Sequence, residues 1–312
     1  MAEKAYITPE VLKWARESAR ISVTSAASKL NVKDEKVEEW ERGISFPTIS
    51  QAEKLAKMYR RPFAVLFLPE IPKDFYPLQD FRRKGSGQLS TSSIFIIREI
   101  QQKQAWMREL CIDNKEPMLP FVGKFSINND PQTVANDILQ TLSISPGNYL
   151  VNPIKKWIDA AESNGIFISR TSFIHSRLTL DSKELQGFAI ADEYAPFIFI
   201  NSDDWNAPQV FTLVHELAHI WIAESGVSNH IEADIRDRDK SHPVEFFCNE
   251  VAANALMPER LIKNNINSKA FRNPNEIFKV SKHFGVSSWA FIYRLYNLNL
   301  INMKEYNFLK TE

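Results

Sequence analysis

FTLVHELAHIWIAESG, residues 211–226, sets two histidines four positions apart, with a glutamate directly after the first, in a stretch that is otherwise largely apolar. On an α-helix, positions four apart lie about 40° from each other around the axis, so His215 and His219 project from one face and can share one ion. Glu216 sits about 100° from His215, beside that ion rather than on it, where a carboxylate can take a proton from metal-bound water. The competing reading makes both histidines satisfied core residues among Leu213, Leu217 and Trp221. Glu216 would then need a partner of its own on a mostly apolar helix.

Further along, VEFFCNEVAANALMP (244–258) supplies a third ligand in Glu245, on a second helical run. Asn249 lies at i+4 from it, on the same face, placed to hydrogen-bond the far nitrogen of a ligand histidine and fix its tautomer. Glu250 points about 140° away around that helix. Cys248 fits a small buried hydrophobe better than a soft ligand. Three protein ligands leave a fourth position for water, whose pKa a zinc ion lowers towards about 7. Two histidines and a carboxylate also describe ferrous oxygenases, but a helical H-E-x-x-H with its built-in base favours hydrolysis.

Upstream, GIFIS (165–169) and QGFAIADEYAPFIFINSD (186–203) read as strands, the latter as two strands about a turn at Asp192-Glu193-Tyr194. A substrate peptide lying extended along PFIFI would add backbone hydrogen bonds near the metal. His230, His242 and Tyr194 are the candidates for stabilising a tetrahedral oxyanion. Residues 130–142 and 152–164 read as helices, the first capped by Asp130 with Pro131 following. After the site, EIFKVSKHFGVSSWAFIYRLYNLNLI (276–301) has helical spacing on either side of Gly285-Val286-Ser287. It reads as a helical element packed on the core, in preference to a second helix-turn-helix, because Trp289, Phe291, Tyr293 and Tyr296 call for burial.

The ordered set GFAI, PFIFIN, FTLVHELAH, ExxxN and AANALMP resembles the ImmA/IrrE metallopeptidase family across roughly residues 130–262. That resemblance implies a gluzincin-like site in which His215, His219 and Glu245 hold Zn2+, with Mn2+ as the other candidate, and Glu216 is the general base. It also implies a protein substrate, typically an XRE-type repressor.

The first 70 residues break into short helical pieces. Thr8-Pro9 opens the first, Ser22 the second, Asp34 the third, which Gly43 ends, and Ser45 to Thr48, holding Pro47, the fourth. WERGISFPTISQAEKLAKMY resembles the end of an XRE-type (lambda-repressor-like) helix-turn-helix domain, which implies DNA binding. The segment that would enter the major groove, 33–42, carries five acidic residues against three basic ones. Phosphate neutralisation supplies most of the affinity of DNA binders, so this balance works against DNA and leaves Lys29, Lys33 and Lys36 as the phosphate-contact candidates. A protein-binding or dimerising module is the rival reading. The architecture is also similar to antitoxin-like regulators encoded beside toxins, which adds a cognate toxin to the partners considered.

At 312 residues, 44% hydrophobic and 24% charged, the chain has ordinary globular composition. Lysine plus arginine and aspartate plus glutamate balance at 38 each, so no field of one sign draws the whole molecule to nucleic acid or a membrane. Two widely separated cysteines, Cys111 and Cys248, and the lack of an apolar leader or span point to a reducing, cytoplasmic setting. The expected architecture is α+β. An all-α front domain at 1–70 is followed by a linker and long amphipathic helix at 71–129. A mainly helical zincin-like domain with a small antiparallel sheet occupies 130–262, and a helical packing element 263–312.

Overall fold

The computed structural model describes residues 3–72, 79–80, 89–147, 153–175, 178–203, 206–228, 242–265 and 273–311. The chain forms two compact units: Met1–Pro77 with Gln88–Ile97, and Leu78–Gly87 with Arg98–Glu312.

In the first unit, α1 (Pro9–Ser18), α2 (Val23–Leu30), α3 (Asp34–Glu41) and α4 (Ile49–Met58) precede a 3-10 turn at Phe63–Phe67. Local signals set these boundaries. Ser22 accepts from the Ser25 N–H, and Thr48 and Gln51 close a reciprocal capping box at the start of α4. Gly43, at φ +74°, carries the chain out of α3, and a Cβ there would stand 3.2 Å from Pro9 Cγ.

Two expected caps are used differently. The Thr8 hydroxyl donates to the Leu68 carbonyl at 2.6 Å and makes no cap bond to α1. Lys33, not Asp34, is the N-cap of α3, and the Asp34 carboxylate accepts from the Thr24 hydroxyl at 2.6 Å.

The core of this unit joins Val11, Leu12 and Ala15 of α1 to Val37 and Trp40 of α3 and Leu55 of α4. Beside it, Arg16 of α1 grips Glu41 of α3 in a two-pronged pair: Nε donates at 2.6 Å and Nη2 at 2.9 Å. Nη1 also donates to the Ile21 carbonyl at 3.0 Å. A guanidinium and a carboxylate matched fork to fork hold two helices in a fixed relation.

The second unit is α+β and mainly helical. Its strands are β1 (Gln79–Asp80), β2 (Phe167–Thr171), β3 (Phe173–His175), β4 (Leu178–Thr179), β5 (Gly187–Ile190), β6 (Phe197–Asn201) and β7 (Gly226–Ser228). β3 and β4 pair with each other, and the rest form one sheet in the order β1-β7-β5-β6-β2. The sheet is mixed. β5 runs antiparallel to β6, as the hairpin turn between them demands, and antiparallel to β7, but β2 lies parallel to β6 and β1 parallel to β7. The expected antiparallel pattern therefore holds only at the centre. β6, the PFIFI strand, has β5 on one side and β2 on the other, so its backbone has no open edge for a peptide. Every residue of β6 is buried, which is why it reads as an unbroken apolar run. Phe199 stacks on Phe188, its register partner on β5, with ring centroids 5.1 Å apart.

The helices of this unit are α5 (Thr91–Asp113, from Arg98 onward), α6 (Pro131–Thr141), α7 (Pro153–Ser163), α8 (Asn206–Trp221), α9 (Pro243–Leu256), α10 (Glu259–Asn265), α11 (Pro274–Phe284), α12 (Ser288–Asn297) and α13 (Met303–Thr311). α8 lies at the centre, packed against α6, α7, α9, β5 and β6. The last three helices share that core through Ile277, Phe284, Phe291, Leu295, Tyr306 and Leu309. Arg294 of α12 is buried and donates to Asn254 Oδ1 at 2.6 Å and to the Met257 carbonyl at 3.2 Å, fastening the C-terminal helices to the end of α9. Of the aromatics expected to seek burial, Phe291 and Tyr293 are buried and Tyr296 is half-buried. Trp289 is exposed, with the Lys310 ammonium over its ring. No helix among the described residues is long and apolar enough to cross a membrane.

Removing one member of a buried ion pair strands the other. Glu41→Ala is expected to lower the stability of the first unit by about 3 kcal/mol, read as a fall in its urea-unfolding midpoint. Glu41→Gln, which keeps an acceptor for Arg16, should lose less.

Candidate metal centre

α8 is apolar around its whole circumference, so its few polar side chains are carried into the core with it. His215, Glu216 and His219 are each 0% exposed. Burial of this kind is tolerated only where each group is satisfied. Around them the other polar groups of α8 are anchored. The Thr212 hydroxyl donates to the Pro208 carbonyl at 2.9 Å, Gln209 Oε1 accepts from Arg170 Nε at 2.6 Å, and Trp221 Nε1 donates to Asp137 at 2.9 Å. None of these three anchors is signalled by motif or spacing.

α9 brings the answering face. Pro243 occupies its first turn, His242 caps it, and Glu245 and Asn249, one turn apart, are both buried against α8. Glu245 Oε2 lies 3.2 Å from His215 Nε2, Oε1 lies 3.1 Å from His219 Nε2, and the two Nε2 atoms are 3.1 Å apart. On the far side of the first ring, His215 Nδ1 stands 2.9 Å from Asn249 Oδ1. An amide oxygen only accepts, so this bond puts the hydrogen on Nδ1 and leaves the Nε2 lone pair facing the other two ligand atoms. The Glu224 N–H donates to the His219 carbonyl at 3.0 Å.

This donor set fits one divalent cation. Tetrahedral ligands at zinc-like bond lengths of about 2.0–2.1 Å stand about 3.3 Å from one another, close to the 3.1–3.2 Å seen here. Burial works against charge on all three groups. For Glu245 it pushes the carboxyl up, but the two facing imidazoles outweigh it and hold the group well below the usual carboxylate range. Burial also pushes His215 down, and Glu245 reverses this, leaving that ring above its ordinary value. His219 stays below its own, with burial the largest cause.

The remaining sequence candidates fall elsewhere. Glu250 Oε1 accepts from Asn297 at 3.1 Å and faces α12. Cys248 is fully buried, which pushes its thiol well up, and it is not one of the three clustered ligands. His242 receives the Val244 N–H on Nδ1 at 3.4 Å, so its ring serves the start of α9. Tyr194 sits in the β5–β6 turn beneath the Arg108 guanidinium. Glu216 meets β5 at Gly187, the opposite end of that strand. At about 3.3 Å per residue the turn lies about 10 Å further along, so Tyr194 is not brought to Glu216. His230 lies outside the described residues.

Residues 161–296 match the family model of Peptidase_M78, the IrrE N-terminal-like domain. The matched segment contains α8 and α9 with all three clustered ligands, Glu216 and Asn249. It supports the ImmA/IrrE family for this part of the chain and a metallopeptidase kind of enzyme, with a peptidase-like or regulatory role. The Peptidase_M78 match begins inside α7 and runs to α12, so the C-terminal helices through that point are covered and the first unit is not. No curated protein matches the chain.

Loss of the outer hydrogen bond that orients a ligand histidine commonly weakens metal binding about 10–100-fold. Asn249→Ala is expected to do this for Zn2+, measured by competition with a chromophoric chelator, and Glu245→Ala to weaken binding further still.

Proposed function

We propose that the chain is a zinc-dependent endopeptidase that acts on a regulatory protein, with an XRE-type repressor as the substrate class and Glu216 as the general base. The observation that carries this reading is the convergence of His215, His219 and Glu245 within 4.8 Å in a water-poor core, with Glu216 in the same helical turn. A bound zinc ion supplies Lewis acidity toward a peptide carbonyl and brings water into the neutral pH range as a nucleophile. Glu216 takes the proton of the attacking water and returns it to the leaving amine. Asn249 keeps the His215 ring in one tautomer and one orientation. The mixed sheet and α6 exclude solvent from the other sides of α8, so the carboxylate works against a low dielectric.

The first unit serves recognition of a protein in preference to DNA. On α3, Lys36 is paired with Glu39 at 2.7 Å and Arg42 with Glu38 at 3.0 Å, so two of its three cations already face carboxylates. Lys33, at the N-cap of α3, and Lys29, on α2, stand exposed. Tyr6 and Ile44 are 73% and 67% exposed, and Tyr6 packs on Phe46 across the bridge that joins Lys4 to Thr48. An apolar edge beside a net acidic helix suits a folded protein surface, such as a homologous repressor, a cognate toxin or a second copy of this chain.

Glu216→Gln separates chemistry from binding. The variant is expected to keep stoichiometric zinc and to lose cleavage of candidate XRE-type repressors by at least about 100-fold, followed by mass spectrometry of the fragments. If the variant retains every regulatory effect of the parent, hydrolysis is not the function. The chain is then an antitoxin-like regulator whose metal centre is structural.

A further inference from the structure

We infer that Gly187 is a positioning residue for the Glu216 carboxylate: the missing side chain on β5 is what leaves that carboxylate its place. This deepens the proposed peptidase reading and rests on it for the role of Glu216, but its geometry stands apart. β5 crosses α8 at the face that carries Thr212 and Glu216, one turn apart. A Cβ on Gly187 would lie 2.6 Å from Thr212 Cγ2, 3.0 Å from Glu216 Oε1 and 3.0 Å from the Phe199 carbonyl oxygen. Real Cβ atoms do not approach that closely, so something would have to move.

Phe199 is fixed by pairing on both sides of β6. Thr212 is held by its hydrogen bond to Pro208. The carboxylate end of Glu216 is the terminal group of a longer side chain and yields most readily. A glycine inside a strand weakens the strand, and its presence there is explained where another group must approach the backbone closely. Here that group is the side chain assigned the proton transfer. The three atoms nearest to a Gly187 Cβ belong to Thr212, Glu216 and Phe199, none of them one of the three clustered ligands.

The test is Gly187→Ala in the full-length chain, alongside Gly187→Ala/Thr212→Ser. The serine keeps the hydroxyl that binds Pro208 and removes the methyl that makes the 2.6 Å contact. In the single variant zinc content should stay stoichiometric, kcat on a peptide cleaved by the parent should fall at least tenfold, and KM should stay within twofold. In the double variant thermal stability should recover while kcat stays low. The Co2+-substituted single variant should show a visible absorption spectrum shifted from that of the Co2+-substituted parent, because a carboxylate next to the ion has moved. A single variant with parental kcat, or a double variant that regains it, overturns the inference. If the parent cleaves no peptide, the peptidase reading fails on its own. The Co2+ spectra then decide this inference, and identical spectra for Gly187→Ala and parent would reject it.

Discussion

The second unit depends on one constraint: α8 is buried on every side and still carries two imidazoles and a carboxylate. Five elements of the sheet and helix layers press on it, and each polar side chain must find its partner inside the core. The solution is to bring a second carboxylate, Glu245, from α9. Two imidazoles and one carboxylate, packed at the mutual separation of tetrahedral zinc ligands, ask for one divalent cation.

The surrounding architecture follows from keeping that helix still. Arg170 on Gln209 and Asp137 on Trp221 pin α8 near its two ends. Stacking of Phe121 on Trp221, with centroids 4.4 Å apart, adds an apolar clamp at the C-terminal end. Arg294 locks α12 to the turn after α9, so the C-terminal helices hold α9 as α6 and the sheet hold α8. The site is thus built from two helices whose relative register is set by groups outside it, which is how a metal centre keeps ligand atoms within tenths of an ångström.

Whatever is encoded by helical periodicity was legible in the sequence. His215 with His219, and Glu245 with Asn249, are i,i+4 pairs, and spacing alone places each pair on one face. Caps such as Ser22, Thr48 with Gln51, and Asp130 lie next to the helices they begin, so they too can be read locally. The features that escaped are non-local. The parallel pairings of β2 with β6 and β1 with β7 join segments 30 and 147 residues apart at their first partners, Phe167↔Phe197 and Gln79↔Gly226. No turn residue announces them. Thr8 and Asp34 have the right chemistry to cap, but a carbonyl at Leu68 and a hydroxyl at Thr24 compete for them through the tertiary fold. Tyr194 has suitable chemistry too, but the length of β5 separates it from Glu216. GFAI reads as a strand, and only the packed structure shows that its glycine touches the carboxylate.

The two units manage charge in opposite ways, and this bears on what each can do. In the first, Arg16 donates twice to Glu41 and once more to the Ile21 carbonyl, so its guanidinium is engaged within the unit. Lys36 and Arg42 are likewise matched by Glu39 and Glu38. In the second, the lone pairs of two histidines and both oxygens of Glu245 point at one another across about 3 Å, an arrangement of acceptors that a cation or shared protons must hold together. A proton on His215 can serve, which is why Glu245 draws that ring above its ordinary value while its own carboxyl is held low. Cation binding then displaces that proton, so metal affinity falls as the pH drops through the titration of the ring. The first unit is a finished electrostatic structure suited to presenting a surface, and the second is one completed by an ion.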